Sequence, residues 1–337
     1  MQSVNLKRLA EELHLSIATV SRALQDSHEV STATKERVRA LATALNYQPN
    51  AYASSLRRHQ SKTIGVVIPK VTNHFFALAI NGIEEAARQA SYHVLIYLTH
   101  DDSAREASII QHLQGGRVDG ILMSVANGAE TSTHLQGLKT SGLPVVFFDR
   151  ICTDIPTANV TTNDYESGYL ATKHLLEAGC RTIAHLLLSN NLSIGRHRHQ
   201  GYLDALAAHG HSPDPDLTLP GTMHNDENAA RIRELLRRRP DIDGIFASVE
   251  RLAVSAYHVC RELGRRIPED VKIVGFSNLE SVSLFDPPLT TITQPAYDIG
   301  RAAARILLHA VEKRRAILPS QSVVLGSELV RRRSTES

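Results

Sequence analysis

A short segment near the amino terminus, residues 16–24, carries side chains that could contact DNA bases. Its apolar residues Val20, Ala23 and Leu24 fall on one face of a predicted helix. The opposite face is expected to carry Ile17, Ala18, Ser21 and Arg22. An outward arginine can donate two hydrogen bonds to O6 and N7 of guanine, whereas isoleucine and alanine can only contact thymine methyl groups. The segment therefore favours base reading by one polar anchor with apolar neighbours.

Two alternatives remain open for this helix. It could dock on another protein instead of DNA. Ile17 could also pack in the core, because it directly follows Ser16, the expected N-cap.

The elements that must position this helix form a small three-helix domain. Asn5 is expected to cap the first helix, and His14, a residue type that tolerates positive φ, turns the chain towards Ser16. Ser31 is expected to start a third helix that ends at residues 46–49. The buried stripes are Leu6, Leu9, Ala10 and Leu13 in the first helix and Val38, Leu41, Ala42 and Leu45 in the third.

A second, weaker helix is predicted over residues 50–57, where Leu56 stands beside Arg57 and Arg58. This stretch is too short to be a stable helix alone. An apolar side chain flanked by basic groups could act as a wedge in the DNA minor groove. A plain linker is the alternative.

From Lys62 onward, short β-branched runs alternate with amphipathic helices, which predicts parallel sheets covered by helices. The predicted strands are 64–68, 93–98, 120–123, 144–148, 183–188, 244–247, 271–275 and 322–325. The predicted helices are 75–90, 104–114, 131–140, 164–178, 196–209, 226–238, 251–263 and 298–312. Two α/β lobes with several chain crossings are expected, and a ligand would bind in the cleft at the carboxyl ends of the strands.

Composition supports a DNA-binding amino-terminal part only weakly. Residues 1–62 carry nine Lys/Arg and five Asp/Glu, whereas the remainder has two more acidic than basic residues. Three distant cysteines indicate neither a disulfide framework nor a zinc site. No apolar run approaches the roughly 18 residues of a membrane span, so we expect a cytoplasmic protein without membrane contact.

Enzymatic and metal chemistry are not expected. The chain lacks the GxGxxG, GxxxxGK[ST] and GxSxG motifs, so no nucleotide cofactor or serine nucleophile is predicted. The pairs His197/His199 and His209/His211 have a spacing compatible with metal, but no third ligand is obvious.

Many motifs in order resemble the lactose-repressor/galactose-repressor (LacI/GalR) family of bacterial transcription regulators. They are residues 10–22 and 30–50, Leu56, residues 64–69, 163–165 with Gly168, 198–202, 267–271 and 287–292. The resemblance implies a helix-turn-helix headpiece, a hinge helix that folds on operator DNA, and a two-lobed α/β core like type I periplasmic binding proteins. The implied bounds are headpiece 1–49, hinge and linker 50–61 and core 62–337, with lobe 1 at about 62–161 and 292–321 and lobe 2 at about 162–291 and 322–337.

By this resemblance the protein is a homodimeric, ligand-responsive regulator, and a two-fold protein implies a pseudo-palindromic operator. The predicted DNA-contacting residues are Ser16, Ile17, Ala18, Thr19, Ser21 and Arg22 in the headpiece and Asn50, Ala53, Leu56 and Arg57 in the hinge. The predicted effector-binding residues are Asn73, Phe75, Phe76, Asp149, Arg150, Arg198, Val249, Glu250, Ser277 and Gln294. These groups suit a sugar, a sugar acid or a nucleobase-like ligand, although Phe75, Asp149 and Arg198 could be purely structural.

Two departures from the family pattern bear on the ligand. Val249-Glu250 stand where Asn-Asp is common, and Ser277-Asn278 stand where an acidic residue often binds sugar hydroxyls. The pocket could therefore take an unusual ligand or have stopped responding to one. A repressor is expected, with a DNA-binding protein whose pocket is silent as the main alternative and a solute-binding protein as a weaker one.

Overall fold

The computed structural model describes residues 5–47, 60–126, 132–222, 224–315 and 317–336. The chain divides into two compact units, residues 1–61 and residues 62–337. Each unit has its own hydrophobic core.

The described part of the first unit contains three helices: α1 (Leu6–Leu13), α2 (Ile17–Leu24) and α3 (Thr32–Ala44). The predicted caps are confirmed, because Asn5, Ser16 and Ser31 each accept a hydrogen bond from the backbone N–H three residues later. His14 has a φ of 52°, as the turn between α1 and α2 requires. The small core between the helices fixes which face of α2 points outward.

The second unit consists of two mostly parallel sheets covered by helices. Its strands are β1 (Thr63–Ile68), β2 (His93–Leu98), β3 (Gly120–Met123), β4 (Val145–Phe148), β5 (Asn159–Thr162), β6 (Ile183–Leu187), β7 (Thr218–Pro220), β8 (Gly244–Ala247), β9 (Lys272–Phe276), β10 (Thr290–Thr293), β11 (Val323–Leu325) and β12 (Glu328–Val330). Its helices are α4 (His74–Gln89), α5 (Ser103–Leu113), α6 (Gln136–Thr140), α7 (Asp164–Glu177), α8 (Ser193–Ala208), α9 (Asn225–Arg238), α10 (Glu250–Glu262) and α11 (Ala296–Lys313).

The first sheet has the strand order β11-β5-β4-β3-β1-β2, and the second has the order β12-β10-β9-β8-β6-β7. Only the β10–β12 pair is antiparallel among the described strand pairs. The chain passes from one sheet to the other after β5, after β10 and after β11. These crossings create the two lobes expected from the sequence.

The predicted lobe boundaries near the carboxyl terminus were wrong in detail. Strand β11 pairs with β5 and belongs to lobe 1, although residues 322–337 were assigned to lobe 2. Strand β10 pairs with β9 and lies entirely in lobe 2, although residues from 292 onward were assigned to lobe 1. Backbone hydrogen bonding between strands decides which lobe each strand belongs to. The periodicity of such short strands does not reveal this pairing.

Most predicted elements are confirmed to within a few residues at each end. The structure adds strands β5, β7, β10 and β12, which have three or four residues each and lack a long apolar run. The predicted helix 131–140 is a 3-10 helix (Ser132–Leu135) followed by the short α6. Across the described residues, no helix has both the length and the apolar character needed to cross a bilayer.

Helices α7 and α8 pack closely because glycines face each other across their contact. A Cβ atom on Gly168 would lie 2.3 Å from the backbone oxygen of Arg198, and one on Gly201 would lie 2.2 Å from that of Tyr165. Larger residues would separate the two helices. This packing brings Arg198 of α8 next to Asp164 at the start of α7.

Candidate functional site

Helix α2 presents an outward face that combines polar and apolar groups. Ile17 is 47% exposed, so the alternative that it packs in the headpiece core was wrong. Ala18 and Arg22, one turn apart, are exposed beside it. Ser16 Oγ accepts a hydrogen bond from the Thr19 N–H at 3.1 Å and lies 2.9 Å from Thr19 Oγ1. These two polar side chains therefore stabilise the start of the helix.

The structure corrects the prediction that Ser21 faces outward. The Ser21 side chain is only 8% exposed. It lies three residues before Leu24, so helical geometry places the two on the same side of α2, at the edge of the apolar stripe. Ser21 is thus a small residue within the helix packing rather than part of the exposed face.

Arg22 forms an ion pair with Glu29 of the headpiece. Its Nε lies 3.1 Å from Oε2 of Glu29, and both side chains are more than half exposed. An exposed ion pair of this kind contributes little to stability. Because a guanidinium carries five N–H donors, an arginine as exposed as Arg22 can still donate hydrogen bonds to another partner.

The four hinge residues predicted to contact DNA, Asn50, Ala53, Leu56 and Arg57, lie outside the described residues. Their role as a minor-groove wedge stays a prediction.

The core contains a cleft whose lining includes all ten residues predicted to bind an effector. Lobe 1 contributes Asn73, Phe75, Phe76, Asp149 and Arg150, and lobe 2 contributes Arg198, Val249, Glu250, Ser277 and Gln294. Most of these residues follow the carboxyl end of a strand, where parallel sheets place their ligand sites. The cleft thus assembles residues that are far apart in the sequence.

Four further lining residues were not predicted: Leu188, Ile194, Phe276 and Asn278. Leu188 follows β6 directly, and Phe276 and Asn278 flank Ser277, so their positions at strand ends were an available signal. Ile194 lies in the first turn of α8 and has no distinguishing pattern in the sequence. These residues make the lobe 2 side of the cleft more apolar than the predicted set.

Asp149 and Arg150 follow β4 and are both buried. Arg150 forms an ion pair with Asp101 through Nη1, whereas its Nε is 3.9 Å from Oδ2 of Asp149. Ser124 Oγ donates a long hydrogen bond of 3.4 Å to Asp149. Burial raises the pKa of the Asp149 carboxyl to about 6, and the positive charges of Arg150 and Arg198 only partly oppose this. Asp149 is therefore a weakly compensated acid at the cleft wall.

Arg198 is held by several partners. Its Nε and Nη2 lie 2.7 Å from Oδ1 of Asp164, and Nη1 donates to the backbone oxygen of Ser248 at 2.6 Å. The guanidinium stacks over the Phe276 ring at 3.7 Å from the centroid. These contacts stabilise lobe 2, and the same side chain lines the cleft.

The two departures from the family pattern meet at one point of the cleft. Ser277 Oγ donates a hydrogen bond of 2.6 Å to Oε2 of Glu250, the first residue of α10. A carboxylate is therefore present one hydrogen bond away from position 277. Asn278 Nδ2 donates to the backbone oxygen of Gln294 at 2.6 Å, and Gln294 Nε2 donates to Thr162 Oγ1 at 3.3 Å, which links a lobe 2 strand end to β5 of lobe 1.

One histidine of each pair has another partner in the structure. His199 stacks on His185, with their Nδ1 atoms 3.0 Å apart, and burial lowers the pKa of both imidazoles. His209 Nδ1 donates to the backbone oxygen of Ala205 at 2.8 Å. In the part of the chain that the structure describes, no three His, Cys, Asp or Glu side chains come together as a metal site.

Two family models match this chain. Residues 5–50 match the model of bacterial regulatory proteins of the lacI family, and residues 172–335 match a periplasmic binding protein-like domain. The ribose operon repressor of Halalkalibacterium halodurans is 32% identical over 92% of this chain and 91% of the repressor.

Solved structures agree with these matches. A transcriptional regulator CelR–cellobiose complex superimposes with a TM-score of 0.75 at 28% identity, covering 98% of this chain and 99% of the regulator. A lac repressor dimer bound to operator has the same fold, with a TM-score of 0.86 at 23% identity and full coverage of both chains. From the capped α2, the two-lobed core and these relatives, we conclude that the chain belongs to the lacI family of bacterial transcription regulators.

Proposed function

We propose that this regulator is a cytoplasmic repressor that binds a pseudo-palindromic operator as a homodimer and responds to a small sugar-like effector in the cleft. The observation that carries the proposal is the outward face of α2, where Ile17, Ala18 and Arg22 are exposed on a helix that is capped and packed from behind. That arrangement suits a recognition helix in the major groove. We propose no catalytic role.

The cleft supports the regulatory half of the proposal. Both lobes contribute side chains to its lining, so a ligand in it contacts Asp149 from one lobe and Glu250 from the other. A ligand with unequal affinity for two lobe arrangements shifts the population between them. Residues 50–61 connect the core to the headpiece and would transmit this shift. The ribose operon repressor and the cellobiose-bound regulator among the relatives favour a sugar as effector.

A second copy of the chain is the partner we propose for the edge of the lobe 1 sheet. Strand β2 lies at that edge, and its Leu95 and Ile96 are 42% and 43% exposed. Exposed apolar side chains on an edge strand favour association. A two-fold dimer would also place two headpieces on one operator.

The proposal is tested by selecting operator sequences in vitro and measuring binding of the Arg22→Ala variant. We expect a loss of about 1–3 kcal/mol on the selected site with nearly unchanged non-specific binding. The control is Arg37→Ala, which removes an exposed arginine of α3. Equal losses on specific and non-specific DNA would contradict base reading by Arg22.

A further inference from the structure

The charged groups around the cleft are compensated unequally. Arg150 and Arg198 line it, but each already has a buried aspartate as ion-pair partner, Asp101 and Asp164 respectively. Their positive charges are therefore satisfied within the protein. An incoming phosphate or carboxylate would have to compete with these aspartates for the same guanidinium groups.

The two carboxylates of the lining are in the opposite situation. Among the described residues, the Asp149 carboxylate has long polar contacts, to Ser124 Oγ at 3.4 Å and to Arg150 Nε at 3.9 Å. Glu250 receives its hydrogen bond from the neutral Ser277 hydroxyl. Carboxylates accept hydrogen bonds and repel anions. Asp149 and Glu250 therefore favour a ligand that carries hydrogen-bond donors.

Arg251, which follows Glu250 in α10, adds a positive charge close to Arg150 and Asp101. Its pKa is lowered by burial and by the charge of Arg150, and raised by that of Asp101. Among these described residues, the acidic groups Asp101, Asp149, Asp164 and Glu250 outnumber the basic groups Arg150, Arg198 and Arg251 by one. The seven groups therefore carry a net negative charge when all are ionised.

A buried donor lies next to the weakly compensated acceptor. The buried Nε of Arg150 makes no hydrogen bond to any of the described residues. A hydroxyl group can accept from this N–H and donate to Asp149 at the same time, because it carries both a donor and lone pairs. An ionised carboxylate or a phosphate dianion can only accept, and it would leave Asp149 facing another anion.

We propose that the cleft selects an uncharged or cationic hydroxyl-rich ligand and rejects anionic sugar derivatives, with one hydroxyl between Asp149 and Arg150 Nε and a second donor on Glu250. Asp149 belongs to lobe 1 and Glu250 to lobe 2, so the ligand links the lobes through its own donors. Ser277 acts as a positioning residue that orients the Glu250 carboxylate. This inference rests on the proposed effector function and specifies its chemical class.

The test compares matched probes on the full-length protein by thermal shift and titration calorimetry. The probes are D-ribose with ribose 5-phosphate, D-glucose with glucosamine, glucuronate and glucose 6-phosphate, and cellobiose. We expect the skeleton that fits the cleft to bind at least about tenfold more tightly in its neutral or amino form than in its anionic form, because the anion meets two carboxylates.

Two variants test whether Glu250 causes the preference for the neutral or amino form over the anionic form. Glu250→Gln preserves size and the hydrogen bond from Ser277, and we expect it to improve binding of the anionic form by about tenfold. Glu280→Gln, which removes an exposed charge from the same lobe outside the cleft lining, is expected to change nothing. An anionic probe that binds the native protein as tightly as its neutral parent would overturn the inference but leave the effector function standing. If no probe shifts the melting temperature of protein that binds operator, the effector function itself fails, and the inference fails with it.

Discussion

Two arginines, one in each unit, lie in opposite environments although both were predicted to contact a ligand. The Arg22 side chain is 58% exposed and pairs with the exposed Glu29, whereas the Arg198 side chain is 3% exposed and is held by Asp164, Ser248 and the Phe276 ring. An arginine that binds DNA must be able to form hydrogen bonds with a new partner. Arg198 in the cleft wall already forms an ion pair within the protein. Ligand selectivity in the cleft therefore depends on the charged groups that have no ion-pair partner of this kind.

This contrast predicts that the two arginines differ most in their effect on stability. Arg198→Ala should lower the free energy of unfolding of the core by about 3–5 kcal/mol, because it leaves Asp164 buried without its cation. Arg22→Ala should leave core stability unchanged. Urea unfolding followed by circular dichroism measures both variants.

A double variant separates the stability of the ion pair from ligand binding. Arg198→Met combined with Asp164→Asn removes both buried charges, and we expect it to recover much of the lost stability. Effector binding should remain weak in the double variant if Arg198 also contacts the ligand. Full recovery of effector binding in the double variant would mean that Arg198 has only a structural role. If Arg198→Ala were as stable as the native protein, the proposed difference between Arg22 and Arg198 would be refuted.

The second prediction concerns the acid that the cleft leaves uncompensated. Burial raises the pKa of Asp149 from 3.8 to about 6, so the folded protein binds this proton more tightly than the unfolded chain. Stability is therefore lost as the pH rises from about 4 to 6, by about 3 kcal/mol for a shift of this size. Asp149→Asn should raise the unfolding free energy at pH 7.5 by about 1–3 kcal/mol, and this gain should shrink towards pH 4.

The backbone at Asp149 suits this substitution, because its φ is 60° and asparagine also tolerates the left-handed region. The same variant should bind effector less tightly, since the acceptor for a ligand hydroxyl becomes an amide. Unfolding curves from pH 4 to 8 provide the measurement, with the exposed Asp216→Asn as control. Parallel pH profiles for Asp149→Asn and the native protein would show that Asp149 is not the group that titrates.

The difference between α2 and the cleft also explains which features could be predicted from the sequence. The face of α2 follows from helical periodicity within nine residues, and only Ser21, at the edge of the buried stripe, was misplaced. The cleft residues came from the family resemblance, because no local pattern connects Asn73 with Gln294. The sequence did not reveal that Asp101 and Asp164 neutralise the two arginines, since these ion pairs form only when distant segments pack.

The third and smallest expected effect concerns Glu29, the ion-pair partner of Arg22. If Glu29 orients the guanidinium through Nε, Glu29→Gln should lower the ratio of specific to non-specific DNA affinity by a few-fold, which corresponds to under about 1 kcal/mol for an exposed pair. Loss of a negative charge should meanwhile strengthen non-specific binding slightly. Fluorescence anisotropy with the selected operator and a scrambled duplex measures both affinities.

Glu36→Gln is the matched control for Glu29→Gln, because Glu36 is an exposed glutamate on α3. Removing it changes the charge of the headpiece by the same amount, so it should strengthen binding to both duplexes equally. The two variants thus separate the orientation of Arg22 from the net charge of the headpiece. If Glu29→Gln also strengthens both equally, Arg22 needs no orienting partner, and its exposure alone distinguishes it from Arg198.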